Sequence, residues 1–298
     1  MSRDLFNRYI WLVDTIKRYG CITREELNAR WKKSPFSNGE ALPRRTFYNY
    51  RMAIEELFKI NIECNPSTFE YYIDECDAHS ESVTNWLLNS VATSNVLSDS
   101  RDVAHRIFLE NVPSARDYLS IVIDALKEYH QIKFSYQPYS RLSATHDIVV
   151  EPYFLKIFRQ RWYVTGLNVK EGKVKTYALD RMKDVVVMQE SFEMPDDFDV
   201  EQYIKYSYGI IFSQGEIKNV AIKTDSRQAK YIRALPLHHS QQEIIHDSYS
   251  IFNYKIRITP DFMQELLSFG PSIVVMEPPE LKAMIVTSLE ETLANYKK

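Results

Sequence analysis

Between Glu151 and Met182 the chain reads EPYFLKIFRQRWYVTGLNVKEGKVKTYALDRM, and no other stretch restricts the fold as much. Aromatic and β-branched residues dominate it, and short turns interrupt it, which is hairpin chemistry. The pattern predicts three strands: Glu151–Phe158 into a basic corner at Arg159-Gln160-Arg161, Trp162–Asn168 out of it, and Lys173–Met182 after a turn at Glu171-Gly172. Lys156, Arg159, Arg161, Lys175 and Arg181 stand among Tyr153, Tyr163 and Tyr177. Guanidinium groups on strands suit planar recognition of carboxylate or phosphate, and aromatic faces can stack on a base. The plainer alternative is a small barrel whose strand ends carry solvated charge.

Arg161-Trp162-Tyr163-Val164, followed by Tyr177-Ala178-Leu179-Asp180-Arg181-Met182, resembles the signature of the WYL domain, with Val164 where the name-giving Leu stands. The resemblance implies a small Sm-like barrel with a regulatory site for nucleic-acid-derived or other anionic ligands. It also implies a winged helix-turn-helix before the barrel and a further domain after it. The expected fold class is therefore α+β and multidomain: a winged helix-turn-helix, a small Sm/SH3-like β-barrel and a C-terminal ferredoxin-like domain. The expected boundaries are 1–75, a helical connector over 76–112, the barrel over 113–195, a linker over 196–212 and a WCX-like domain over 213–298.

The first 75 residues fit that layout. Apolar positions over Asp4–Tyr19 have helical spacing, and Gly20 closes the helix. Thr23-Arg24-Glu25-Glu26 is a capping box for a second helix ending near Trp31. Lys32–Leu42 is a loop, long for a helix-turn-helix. Pro43 is placed in the first turn of a third helix over Arg44–Phe58, whose inner stripe is Phe47, Tyr50, Ile54, Leu57 and Phe58. Its outer face carries Arg44, Arg45, Thr46, Tyr48, Asn49 and Arg51, groups able to reach base edges and phosphates. Through Lys59 there are twelve Lys/Arg against seven Asp/Glu, in a chain whose net charge is −3. Two short strands joined around Asn65-Pro66-Ser67 have the size of a wing.

The connector is expected to hold a helix over Ser82–Leu97 and a strand over Arg106–Glu110, with His79 and His105 at its surface. Ser114 is expected to cap a helix reaching Tyr129, which leads into five strands. Alternation puts Trp162 and Val164 on the core face, and Arg161, Tyr163 and Thr165 on the other. Read as a strand, 176–181 puts Tyr177, Leu179 and Arg181 on one face. The candidate ligand residues are thus Arg161, Tyr163, Tyr177 and Arg181, supported by Tyr136 and Lys156. Asp180 is read as orienting a neighbouring Arg. Tyr206-Ser207-Tyr208-Gly209-Ile210 resembles the bridge that follows WYL barrels, and β-α-β-β-α-β order after it is ferredoxin-like.

Other function classes find little in the sequence. It has no P-loop, GxSxG, HExxH or Rossmann fingerprint. Three scattered Cys, with no CxxC pair, fit a reducing cytoplasm. His238-His239, read as strand neighbours, point to opposite faces and make a poor chelate. No cofactor, metal or catalytic residue is expected, and no apolar run reaches the ~18 residues of a membrane span. The charged N-terminus is not expected to be a signal peptide. The reading is a non-catalytic, ligand-responsive regulator, a repressor on resemblance. Its expected partners are a double-stranded DNA operator, an anionic or nucleic-acid-derived ligand and a second copy of the chain. The alternative is an interaction scaffold whose winged domain binds a protein or RNA.

Overall fold

The computed structural model describes residues 3–58, 60–73, 90, 93, 106, 116–139, 141–212 and 215–297. The chain divides into two units, Met1–Glu110 and Asn111–Lys298. The expected connector helix and strand, with His79, His105 and Ser114, lie outside the described residues apart from Ser90, Thr93 and Arg106.

The first unit is a winged helix-turn-helix. Helix α1 (Arg3–Tyr19) ends on Gly20, which takes φ +71°, a conformation a Cβ disfavours. Strand β1 (Cys21–Thr23) follows, too short to show any alternation in the sequence. Helix α2 (Arg24–Trp31) opens on the expected capping box: Thr23 Oγ1 accepts from Glu26 N, and Glu26 Oε2 accepts from Thr23 N at 3.0 Å. The long loop before helix α3 (Arg44–Phe58) is held from inside. Leu42 is buried, its N–H donates to Asn28 at 2.9 Å, and its carbonyl accepts from Arg24 at 2.9 Å. Pro43 stands just outside α3, with its carbonyl accepting from Phe47 N at 2.9 Å. Strands β2 (Ile62–Cys64) and β3 (Glu70–Ile73) form the wing, and the sheet order is β1-β3-β2. Phe47, Tyr50 and Ile54 of α3 are buried against α1 and α2; Leu57, expected on the inner stripe, is exposed.

The second unit opens with helix α4 (Arg116–Glu128), which packs on a five-stranded antiparallel barrel sheet of order β7-β6-β5-β4-β8. Its strands are β4 (His130–Tyr136), β5 (Thr145–Phe158), β6 (Arg161–Asn168), β7 (Lys173–Ala178) and β8 (Met182–Ser191). The ladder between β5 and β6 slips between Pro152 and Phe154. There a Cβ on Gly166 would stand 2.0 Å from the Glu151 carbonyl, so only glycine allows the crossing. The expected strand 173–182 is broken. Leu179–Arg181 form a 3-10 turn, because Met182 leaves β7 to pair with Tyr136 of β4. The core holds Phe134, Val164, Tyr177, Leu179 and Met182, with Trp162 half-buried beside it.

Residues 192–212, with short helix α5 (Val200–Ile204), form a packed strap. Phe198, Tyr203 and Phe212 cover Tyr153, Phe154 and Phe192. Strand β9 (Ile217–Asp225), helix α6 (Ser226–Ala234), strands β10 (Gln242–Ile245) and β11 (Tyr249–Arg257), helix α7 (Pro260–Ser268), strand β12 (Ile273–Glu277) and helix α8 (Pro279–Tyr296) complete the chain. The sheet order β10-β11-β9-β12, all antiparallel, is ferredoxin-like. His238 and His239 lie in a turn rather than on a strand, and their ring centroids are 4.0 Å apart. The opposite-face argument therefore does not apply to them. Among the described residues, no group of three or more His, Cys, Asp and Glu could hold a metal. No described helix is long and apolar enough to cross a membrane.

Candidate functional site

The cluster at one end of the barrel is built by three turns in the chain. Strands β5 and β6 meet in a two-residue turn, Arg159-Gln160, with φ +48° and +63°. Positive φ at both positions matches the twist of a tight hairpin, at a cost for non-glycine residues. Arg161 leaves this turn as the first residue of β6. The 3-10 turn carries Asp180 and Arg181, and the loop from β4 to β5 carries Tyr139. The 3-10 turn is tied to β4 at two points. Gln137 N donates to the Arg181 carbonyl at 3.1 Å, and Ala178 N donates to Tyr136 Oη at 3.3 Å.

Arg161 Nη2 donates to Asp180 Oδ2 in an ion pair whose carboxylate side chain is 6% exposed. Burial works against the Arg161 charge, but hydrogen bonds to Asp180 and Tyr139 hold its pKa above the usual value. The Arg181 guanidinium lies over the Tyr139 ring, 3.8 Å from its centroid. Tyr163 is buried; burial pushes its hydroxyl pKa up, and the charges of Arg161 and Arg181 pull it back. Seven buried side-chain nitrogens and oxygens lack a hydrogen-bond partner among the described residues, and Arg161 Nε, Asp180 Oδ1 and Arg181 Nε are three of them. Buried polar atoms are rarely left unpaired, and these three fall in one cluster. Two guanidinium groups against one carboxylate leave the cluster cationic, fit for an anion.

The structure thus brings Arg161, Tyr163 and Arg181 together, with Tyr136 at the edge. Two sequence candidates stand apart. Tyr177 is opposite Val164 in the β6–β7 ladder, so it points into the barrel core. There it packs on Phe134 and Tyr136 with ring centroids 5.2 Å away, and its Oη accepts from Asn168 at 2.8 Å. The shared face with Arg181 disappears because the 3-10 turn ends the alternation. Lys156 is the cross-strand neighbour of Tyr163, yet its ammonium donates to the Gly209 carbonyl at 2.6 Å and sits 5.1 Å from the Phe212 ring centroid. Tyr139 escaped sequence reasoning. A lone exposed tyrosine in a polar loop gives no signal, and only the fold sets it beside two arginines.

The winged unit offers the second candidate surface. Arg44, Arg45, Tyr48 and Asn49 are exposed and Thr46 is half-buried. Neither Arg44 nor Arg45 has an ion-pair partner among the described residues. Arg51 differs: it donates to the Ile62 carbonyl and lies 5.4 Å from the Tyr71 ring centroid, joining α3 to the wing.

Comparison with known families bears on the second unit. A WYL domain model matches residues 117–187 and a WCX domain model matches residues 218–293. The chain carries a WYL domain followed by a WCX domain. The WYL match spans α4 through β7 and into β8, and the WCX match spans the ferredoxin-like domain. Among solved structures it is similar to proteasome accessory factor B/C (PafBC) of Arthrobacter aurescens, at 20% identity and a TM-score of 0.32, over 96% of this chain and 46% of that one. It is also similar to a CRISPR Cas-related protein, at 12% identity and a TM-score of 0.39, over 92% and 71% of the respective chains. The WYL-domain protein spans less than half the length of the PafBC chain. A search of curated proteins finds no significant match.

Proposed function

We propose that this WYL-domain protein is a cytoplasmic, DNA-binding transcriptional repressor whose barrel senses an anionic ligand. The observation that carries the sensing role is the cationic cluster of Arg161 and Arg181, with three buried polar atoms still unpaired. Structural ion pairs are ordinarily satisfied, and this one is satisfied only in part. The ligand is a nucleotide, a short single strand or another anion of that size. DNA recognition falls to the exposed face of α3, with Arg44, Arg45, Thr46, Tyr48 and Asn49. The chain acts as a homodimer, because one recognition helix contacts too few bases to specify an operator. The ligand regulates DNA binding by favouring one arrangement of the dimer over another, which requires different affinities for the two.

The test is fluorescence anisotropy of the purified chain on duplex DNA from upstream of its own gene, against scrambled DNA, over a salt series. Sequence-dependent binding that weakens with salt and is lost in Arg44→Ala/Arg45→Ala supports the reading. Equal binding of both duplexes, or binding indifferent to the double substitution, overturns it.

A further inference from the structure

The cluster that holds Arg161 and Arg181 also holds an acceptor with nothing to accept. Asp180 Oδ2 is engaged by Arg161 Nη2, while Asp180 Oδ1 is buried and unpartnered. The Asp180 side chain is more than nine-tenths buried, at 6% exposure. An anion bound to the two guanidinium groups satisfies Arg161 Nε and Arg181 Nε but leaves this oxygen bare. A buried carboxylate oxygen without a donor is costly, and an approaching anion raises that cost.

We propose that Asp180 is a specificity residue that accepts a hydrogen bond from a ligand hydroxyl next to the anionic group. This inference rests on the anion-sensing reading of the same cluster and narrows it to the hydroxy-phosphate esters. Three features of the site select that class. First, Asp180 Oδ2 is bonded to the same guanidinium that takes the anion, so donor and anion must sit on adjoining atoms of one ligand. Second, two unpaired guanidinium N–H groups call for several acceptor oxygens in one group, which a phosphate supplies and a hydroxyl does not. Third, the two guanidinium groups around Tyr163 outnumber the one carboxylate there, so an ammonium donor is repelled and a neutral hydroxyl is not. A carboxylate that accepts from a ribose hydroxyl is a known reader of sugars in nucleotide sites.

Calorimetric titration of the purified full chain tests this with four probes: adenosine 3′-monophosphate, its 2′-deoxy analogue, glycerol 3-phosphate and inorganic phosphate. Adenosine 3′-monophosphate, whose 2′-hydroxyl adjoins the phosphate, is expected to bind about tenfold or more tightly than the 2′-deoxy analogue. Asp180→Asn is expected to abolish that ratio, leaving both near the deoxy affinity. Glycerol 3-phosphate binding as well as adenosine 3′-monophosphate places the ligand among sugar phosphates, and weaker binding places it among nucleotides; the hydroxyl reading stands in either case. Equal wild-type affinity for the two adenosine probes, both lost in Arg181→Ala, overturns the role of Asp180 and leaves the anion site standing. Binding of none of the four removes the anion site and this inference with it. Tighter binding of both adenosine probes in Asp180→Asn also overturns the proposal, because Asp180 would then only compete for Arg161. The comparison of probes on wild-type protein needs no variant to fold.

Discussion

Lys156 and Gly209 are joined by a 2.6 Å hydrogen bond from the ammonium to the backbone carbonyl, across 53 residues of chain. It fastens the central barrel strand to the strap that leads into the ferredoxin-like domain. Burial lowers the Lys156 pKa, and Asp261 opposes that shift. Lys156→Met keeps the aliphatic stem and removes the donor, which leaves a carbonyl without its partner. We expect a loss of about 1–2 kcal/mol of stability, read by chemical denaturation. Binding of a phosphate probe at Arg161 and Arg181 is expected to be unchanged. A Lys156→Met chain of wild-type stability that no longer binds the probe would move Lys156 into the ligand site.

Gly209 faces a second constraint on its other side. Its φ is +76°, and a Cβ there would lie 2.4 Å from Asp261 Oδ2. That same oxygen accepts from Ile210 N at 2.7 Å and Ile211 N at 2.9 Å, so it cannot swing away without losing both bonds. Gly209→Ala therefore combines backbone strain with the loss of a carboxylate clamp. The expected cost is about 2–4 kcal/mol, larger than that of Lys156→Met. Thermal melting of the two variants side by side checks the order, and a neutral Gly209→Ala would remove the clamp from the account of how the two domains are held.

His238 gives the second unit an acid limit. Its Nε2–H donates to the Lys205 carbonyl at 2.9 Å, and its Nδ1 meets the Ser240 hydroxyl at 2.7 Å and accepts from Ser240 N at 3.3 Å, a pattern for the neutral ring. Burial first, then the neighbouring His239 and Lys156, lower its pKa from 6.5 to about 4. The folded-state value is depressed, so between about 4 and 6.5 the unfolded chain binds more protons and stability rises with pH. The stabilisation is complete above pH 6.5 and is lost as pH falls through about 4. Its size is about 3 kcal/mol at most. Urea denaturation at pH 7 and pH 4.5 measures it, and His238→Gln is expected to flatten this part of the profile. A slope identical in wild type and variant would assign the acid sensitivity to other groups.

Sequence legibility follows the range of the interactions involved. Helices Pro260–Ser268 and Pro279–Tyr296 are legible to the residue because proline stands at the start of each, and in the first Thr259 Oγ1 caps Phe262 N. The α2 capping box is legible for the same local reason. Strand alternation correctly separates Trp162 and Val164 from Tyr163, since the pleat is also local. Alternation fails at Leu179, where a strand change dictated by pairing with β4 inserts a 3-10 turn that apolar spacing does not announce. The occupant of Lys156 and the aromatic partner of Arg181 are set by residues distant in sequence, Gly209 and Tyr139, and no periodicity encodes them.

The six residues on the outer side of α3 are expected to separate into two groups. Arg51 donates to the Ile62 carbonyl and stacks near Tyr71, so it holds the wing to the helix. Arg51→Ala leaves that carbonyl short of a donor and is expected to destabilise the winged unit by about 1–2 kcal/mol. Arg44 and Arg45 are exposed and make no ion pair among the described residues, so their removal is expected to leave the melting temperature within about a degree. On the proposed DNA-binding role, their contribution is phosphate neutralisation. Losing both is expected to reduce the slope of log K against log salt by about 2 units. Melting curves and a salt titration on one duplex, run for both variants, decide the matter. A reduced salt slope in Arg51→Ala with unchanged stability would return Arg51 to the DNA-contacting set. An unchanged slope in Arg44→Ala/Arg45→Ala would take the N-terminus of α3 out of the groove.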